Sequence, residues 1–176
     1  AIAEGLQVLS APGASAVLCA LTVSGLPSDR FLFAGFPPVT KSARETFLRD
    51  LAQVQATLIF YESPKRVSGL LGDLVNTLGG GRQAAVCREL TKRFEEVSRG
   101  SLDQLAADFA DRTVKGEIVV LVDRAPEQQA DAATVEQALD QALTHMTMKD
   151  AATAVAQAYG LPRRDVYQLA LRRAGA

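Results

Sequence analysis

Four segments of the chain carry residue types suited to chemistry, each at the edge of an apolar run. Glu62-Ser63-Pro64-Lys65-Arg66 follows ATLIFY, and Cys87-Arg88-Glu89-Leu90-Thr91-Lys92-Arg93 follows AAV. Lys115-Gly116-Glu117 leads into EIVVLV, and Ala11-Pro12-Gly13-Ala14-Ser15 follows LQVLS. Glu62 and Glu89 bring carboxylates to two of these strand ends, where ligands of such sheets gather. Each also has an arginine close by, Arg66 or Arg88, and orienting that arginine is an equally open role. The small residues Pro12 and Gly13 let a ligand approach the backbone, and a helix opening at Ser15 offers free N–H donors. Taken singly, such charge pairs are surface ion pairs of negligible energy. Ligands of open α/β sheets bind outside strand ends, so several pairs at strand ends predict a shared charged cleft.

Other chemistries find little support. Cys19 and Cys87 are far apart in apolar surroundings and read as small hydrophobes. With a single histidine, His145, no metal site is expected. Gly79-Gly80-Gly81-Arg82 lacks the P-loop spacing and reads as a helix stop. The chain has 176 residues, 48% apolar, with 19 Lys plus Arg against 20 Asp plus Glu. A net charge of −1 excludes a generally basic nucleic-acid binder but not a local basic patch. No apolar run approaches the roughly 18 residues of a membrane span. Few cysteines and no signal peptide point to a reducing, cytoplasmic setting. The opening AIAEGLQVLS, with no Met, suggests a processed or truncated N-terminus.

The elements that must position these residues alternate. Strands are expected at LQVLS, Phe31–Phe36, Ala56–Tyr61, Ala84–Arg88, Glu95–Ser98 and Glu117–Val122. Helices are expected at Ala14–Ser24, Ser42–Gln53, from Ser63-Pro64 to Leu78, and at Ser101–Phe109. This is an α/β layer, expected to be mainly parallel with one antiparallel insertion. Beyond a polar linker at Pro126–Ala130 only helices follow, at about Ala132–His145, Lys149–Tyr159 and Arg163–Ala174. The break at Gly160-Leu161-Pro162 suggests a helix-turn-helix. The first tail helix is acidic; from Thr147 on, five cations face Asp150 and Asp165, a net +3. Arg163, Arg164, Arg172 and Arg173 would form a solvated basic face or a phosphate-contacting one.

The wording of the chain goes further than its periodicity. APGASAV (Ala11–Val17), SGLPSDRFLFAGFPP (Ser24–Pro38), TLIFYESPKR (Thr57–Arg66), CRELTKRFEEVSRGSL (Cys87–Leu102) and KGEIVVLVD (Lys115–Asp123) occur in this order. Together they closely resemble the bacterial 16S rRNA cytidine ribose 2′-O-methyltransferases of the tetrapyrrole (corrin/porphyrin) methylase superfamily. The resemblance implies an α/β fold: a C-terminal αβα methylase lobe with a mixed sheet, then a helix-turn-helix-like tail. Residues 1–27 would be the remnant of an N-terminal lobe, 28–125 the C-terminal lobe and 131–176 the helical domain. Most of the N-terminal lobe would then be absent from this sequence, and the chain inactive alone.

The resemblance also implies a cofactor, S-adenosyl-L-methionine, bound between the lobes. Its contacts would come from Pro12, Gly13 and Ser15, and from Phe60, Tyr61 and Glu62. Arg88, Glu89 and Leu90, then Gly116, Glu117 and Ile118, would complete them. The acceptor would be a cytidine ribose of the 16S rRNA decoding region, in the 30S subunit, with Glu62 and Glu89 as catalytic candidates. Lys65, Arg66, Lys92 and Arg93 would hold RNA phosphates, with Arg163, Arg164, Arg172 and Arg173 as a second RNA surface. A cytoplasmic homodimer with no membrane contact is expected. The alternatives are a tetrapyrrole-precursor methylase, or a helix-turn-helix module on an inert α/β domain.

Overall fold

The continuous apolar runs become the centre of a five-stranded sheet. The computed structural model describes residues 1–126 and 132–174. The strands are β1 (Phe31–Gly35), β2 (Thr57–Glu62), β3 (Gln83–Arg88), β4 (Glu96–Ser101) and β5 (Ile118–Val122), in the order β1-β2-β5-β3-β4. Every residue of central β5 is buried. A strand covered on both faces needs no polar alternation, which is why IVVLV is uninterrupted.

Strand direction departs from the expected mainly parallel sheet. Only β1 and β2 pair in parallel; β2–β5, β5–β3 and β3–β4 are antiparallel. β5 enters where β2 and β3 leave, so Ile118 is paired with Glu62 on one side and Arg88 on the other. Apolar periodicity carries no information about direction, and the sheet is mixed.

Alternation on each strand separates two faces. Phe60, Val86 and Val120 pack under α2 (Lys41–Asp50), α3 (Val67–Leu78) and α4 (Leu102–Phe109), with Leu48, Leu71 and Leu105 among the contacts. Ile59, Ala85, Cys87 and Leu121 pack under α1 (Ala16–Ser24) through Val17, Ala20 and Leu21. Burial pushes the Cys87 thiol up to about 11, so it behaves as a small hydrophobe; Cys19 is half-buried. Ser101 opens α4 with a complete capping box: its Oγ accepts from Gln104 N, and Gln104 Oε1 accepts from Ser101 N. Arg99 of β4 donates to the Val23 and Ser24 carbonyls that end α1, where a cation meets the negative end of the helix dipole.

Two expected elements are corrected. LQVLS is not a strand: Ile2–Glu4 form one 3-10 turn, and residues 6–15 have no regular structure. Leu6, Val8 and Leu9 are 59%, 58% and 80% exposed, because none of the five strands pairs with this segment. The helix expected from Ser63-Pro64 begins only at Val67. The Ser63 carbonyl accepts from both Arg66 N and Val67 N, so the chain completes a turn before helical register starts.

The chain forms two compact units, Ala1–Pro126 and Glu127–Ala176. The second contains α5 (Ala132–Leu143), α6 (Met148–Tyr159) and α7 (Arg163–Ala174) around Leu139, Ala152, Val155, Val166 and Ala170. Thr147 caps α6 by accepting from Asp150 N, and Gly160 ends it at φ +63, a left-handed value that favours glycine. The linker residues 127–130 and the acidic Glu127 and Asp131 lie outside the described residues. Among the described residues no helix is long and apolar enough to cross a membrane.

Candidate functional site

The ends of β1 and β2 and the start of β5 meet at one edge of the sheet, and a cleft of ≈ 500 Å³ opens there. Tyr61, Glu62, Gly116, Glu117 and Ile118 line it, as the strand-end reasoning expects. Ala16, the first residue of α1, lines it too; Ser15 is the N-cap, and its side chain makes no cap hydrogen bond. The first-turn N–H groups of α1 are therefore left for a ligand or water. Ser63 and Pro64, from the strand-end segment 62–66, line it as well, and Phe36 and Val119, which were not foreseen, complete the lining. Phe36 had a legible signal: it is aromatic and ends a strand. Its ring lies 5.5 Å from Tyr61, whose other neighbour is Phe33 at 4.7 Å.

Glu62 is the buried charge of the cleft, 3% exposed. Its Oε1 accepts from Ser63 N at 2.7 Å, and Oε2 lies 3.1 Å from Arg66 Nη2. That contact lacks hydrogen-bond geometry, so Oε2 is a buried acceptor with no hydrogen-bond donor among the described residues. Arg66 spends the same Nη2 on the carbonyls of Pro37 (2.7 Å) and Pro38 (3.2 Å). Arg44, paired with buried Asp73 at 2.6 Å, donates to Pro38 and Val39. Two arginines thus hold the segment that carries Phe36.

Glu89 sits outside the cleft lining but fixes its rim. Its N donates to Glu117 O at 2.9 Å, and its Oε1 accepts from Glu117 N at 3.0 Å and from Lys92 Nζ at 2.9 Å. The Lys92 and Glu117 hydrogen bonds hold its carboxyl below the usual glutamate range. Gly116, at φ +96, lets its backbone approach the Glu89 side chain; a Cβ there would fall 2.4 Å from Glu89 Cγ.

Several residues expected at the cofactor lie elsewhere than in the lining of this cleft. Phe60 points away from Tyr61 into the helix-covered core, fully buried beside Phe47. Pro12 and Gly13 lie in the exposed irregular segment, Leu90 packs on the α1 side of the sheet, and none of the three lines the cleft. Arg88 does not pair with Glu89. It donates to Glu96 Oε2 at 3.1 and 3.0 Å, and Arg112 reaches the same oxygen at 2.7 Å. The hydrogen bonds of Arg112 and Arg88 take the Glu96 carboxyl from 4.5 down to about 2. A depressed carboxylate contributes stability above its unfolded value and loses it as pH falls through the folded one. Glu96→Gln is therefore expected to cost about 1 kcal/mol at neutral pH, screening by solvent included. The difference should shrink below pH 4.5 and vanish near 2. Urea unfolding of both proteins across that range measures it, and a pH-independent difference would refute the assignment.

The expected RNA-contacting cations divide in the same way. Arg66 is held by Glu62 and the proline carbonyls, and Lys92 by Glu89 and Glu117. Arg173 donates to Asp140 at 2.7 Å and Glu136 at 2.6 Å, neutralising part of α5. Arg163 donates to Thr153 Oγ1 at 2.9 Å, yet with Lys149, Arg164 and Tyr167 it lines a recess of ≈ 430 Å³ in the helical unit. Lys65, next in the chain to the lining residue Pro64, and Arg93, next to Lys92, are exposed. Arg164 and Arg172 are exposed and make no ion pair with a described residue.

Residues 1–106 match the family Tetrapyrrole (Corrin/Porphyrin) Methylases, and residues 129–174 match the RsmI C-terminal HTH domain. The chain is 47% identical over 169 residues to Ribosomal RNA small subunit methyltransferase I of Mesorhizobium japonicum, covering 96% of the chain and 58% of that protein. It is 43% identical over 172 residues to the protein of the same name from Mycobacterium tuberculosis, covering 97% and 60%. The chain thus spans 58% and 60% of the lengths of these curated relatives. Among solved structures, cobalt precorrin-4 methyltransferase CbiF superposes with a TM-score of 0.51 at 16% identity, covering 69% of this chain and 54% of that one. The methyltransferase CobJ gives 0.51 at 24%, covering 65% and 49%. At these identities the likeness speaks for the fold, and it is the family match over residues 1–106 that decides membership. The chain belongs to the tetrapyrrole (corrin/porphyrin) methylase family.

Proposed function

We propose that the cleft between Tyr61 and Ile118 holds S-adenosylmethionine, and that the protein methylates the ribose 2′-hydroxyl of a cytidine in the 16S rRNA decoding region. The observation that carries the reading is the cleft itself. It has a volume typical of small-molecule sites, apolar walls, and one buried acceptor, Glu62 Oε2, without a donor. These features fit a cofactor with a flat apolar base and several N–H and O–H donors. When bound, the cofactor supplies a methyl group already activated for displacement. The work left to the protein is alignment and exclusion of water. Tyr61, Phe36 and Ile118 offer apolar surface to the base, and the free N–H groups of α1 offer donors. Glu62 holds a ligand hydroxyl or ammonium at Oε2. Glu89, with Lys92 and Glu117 N occupying Oε1, fixes the rim as a positioning residue.

The names of the relatives support ribosomal RNA as the acceptor. We assign phosphate contacts to Lys65 and Arg93, to Lys149, Arg163 and Arg164 around the helical recess, and to Arg172. Arg66, Lys92 and Arg173 hold the protein itself together. The 30S subunit as substrate, a cytoplasmic setting and a homodimer belong to the same reading.

Assayed at the full length of its relatives, the protein is expected to transfer radiolabelled methyl to 30S subunits and not to a porphyrinogen or naked DNA. Label on the porphyrinogen would replace this reading with a tetrapyrrole-precursor methylase. Arg163→Glu with Arg164→Glu should weaken RNA binding and flatten its salt dependence by about two phosphate contacts. An unchanged slope would remove the helical unit from RNA recognition.

A further inference from the structure

The connection between β3 and β4 is built unlike an ordinary loop. Glu89 and Thr91 both adopt left-handed backbone, at φ 51 and φ 64, although neither is glycine. Such strain persists only where surrounding contacts enforce it, and it clusters at ligand clamps. Here the contacts are explicit. Glu95 Oε2 accepts from Thr91 N at 2.6 Å, Lys92 N donates to Glu89 O at 3.0 Å, and Glu95 N donates to Lys92 O at 3.1 Å. Glu89 and Lys92 fasten the turn to Glu117, a lining residue of the cleft. What this scaffold displays is Phe94, 62% exposed, with the Arg93 guanidinium over its ring at 5.5 Å. Lys92 is neutralised by two carboxylates, whereas Arg93 pairs with none among the described residues, so the cation left beside the ring is Arg93.

We propose that Phe94 is a nucleobase-stacking contact at the cleft rim, holding a base next to the nucleotide whose ribose enters the cleft. The proposal rests on the RNA reading above. An aromatic ring with one face towards a guanidinium and broad exposure to solvent is the arrangement by which proteins grip unpaired bases without reading their sequence. A rigid turn reduces the entropy lost when the base docks. Arg93 adds a phosphate contact beside it.

The test uses the chain and a short single-stranded RNA of mixed sequence carrying 2-aminopurine, whose fluorescence reports stacking. Phe94→Ala should weaken binding roughly tenfold, abolish most of the fluorescence change, and leave the slope of affinity against salt unaltered. Phe94→Tyr should restore both readouts, and Arg93→Ala should lower the slope by about one phosphate contact. Equal affinity of Phe94→Ala and the parent chain would overturn the stacking contact while leaving the RNA reading in place. A loss confined to the salt slope would also overturn it. A parent chain with no affinity for the RNA would overturn both readings.

Discussion

Replacing Arg66 with Ala is expected to destabilise the first unit by about 3 kcal/mol, the low end for breaking a buried ion pair. The cause is what stays behind. The Glu62 side chain is fully buried, and its charge would lose the one guanidinium that faces it. The Pro37 and Pro38 carbonyls would lose their donor in the same step, loosening the segment that carries Phe36. Removing both partners should cost less than the sum of the single losses, since the double variant leaves no unpaired buried carboxylate. Urea midpoints of Arg66→Ala, Glu62→Ala and the double variant measure the coupling. Additive losses would mean that the pair contributes nothing as a pair. Glu62→Gln keeps the shape and removes the charge, so it separates loss of ligand affinity from loss of fold. It should unfold near the parent protein yet bind S-adenosylmethionine more weakly.

Gly116→Ala is the second change with a large expected effect, about 2–3 kcal/mol. Two causes act together. A φ of +96 is a conformation that side-chain-bearing residues adopt only under strain. The added methyl would also overlap the Glu89 carboxylate, with Oε1 only 2.5 Å away. The carboxylate cannot retreat without releasing Glu117 N and Lys92. Shortening Glu89 to Ala in the same chain should recover the overlap but not the dihedral strain. Thermal unfolding of the single and double variants distinguishes the two contributions. A fully stable Gly116→Ala would show that the rim yields freely, and the role of Glu89 as its fastener would fall.

Both predictions turn on residues that sequence reasoning found for the right region and, in part, for the wrong partner. Tyr61, Glu62 and Gly116–Ile118 were legible because apolar runs reveal where strands end, and ligands gather at strand ends. Phe36 and Ala16 were missed as lining residues because their place depends on how β1 and α1 lie beside β2 and β5. The LQVLS segment shows the opposite error. Its apolar residues suit a strand, but strand formation needs a pairing partner, and the five paired strands include no neighbour for it.

The charges make the division between the two kinds of information clear. By itself the sequence determined the elements and the chemical types at their ends. Hydrophobic periodicity, caps and glycine stops are local, and the family wording lies in contiguous strings. It could not determine which charge meets which. Arg88 and Glu89 are adjacent in the chain, yet Arg88 pairs with Glu96, its register partner across the β3–β4 ladder. Arg88 is the last residue of β3 and lies beside its register partner, whereas Glu89 has already turned into the left-handed connection and faces Glu117. Arg66, Lys92 and Arg173 were likewise expected to contact RNA, and each is held by carboxylates within its own unit. Electrostatic partners are set by distance in space, which only the packed structure establishes. That packing leaves a buried acceptor without a hydrogen-bond donor at Glu62 and an exposed ring at Phe94, on the connection that Glu89 and Lys92 fasten to Glu117.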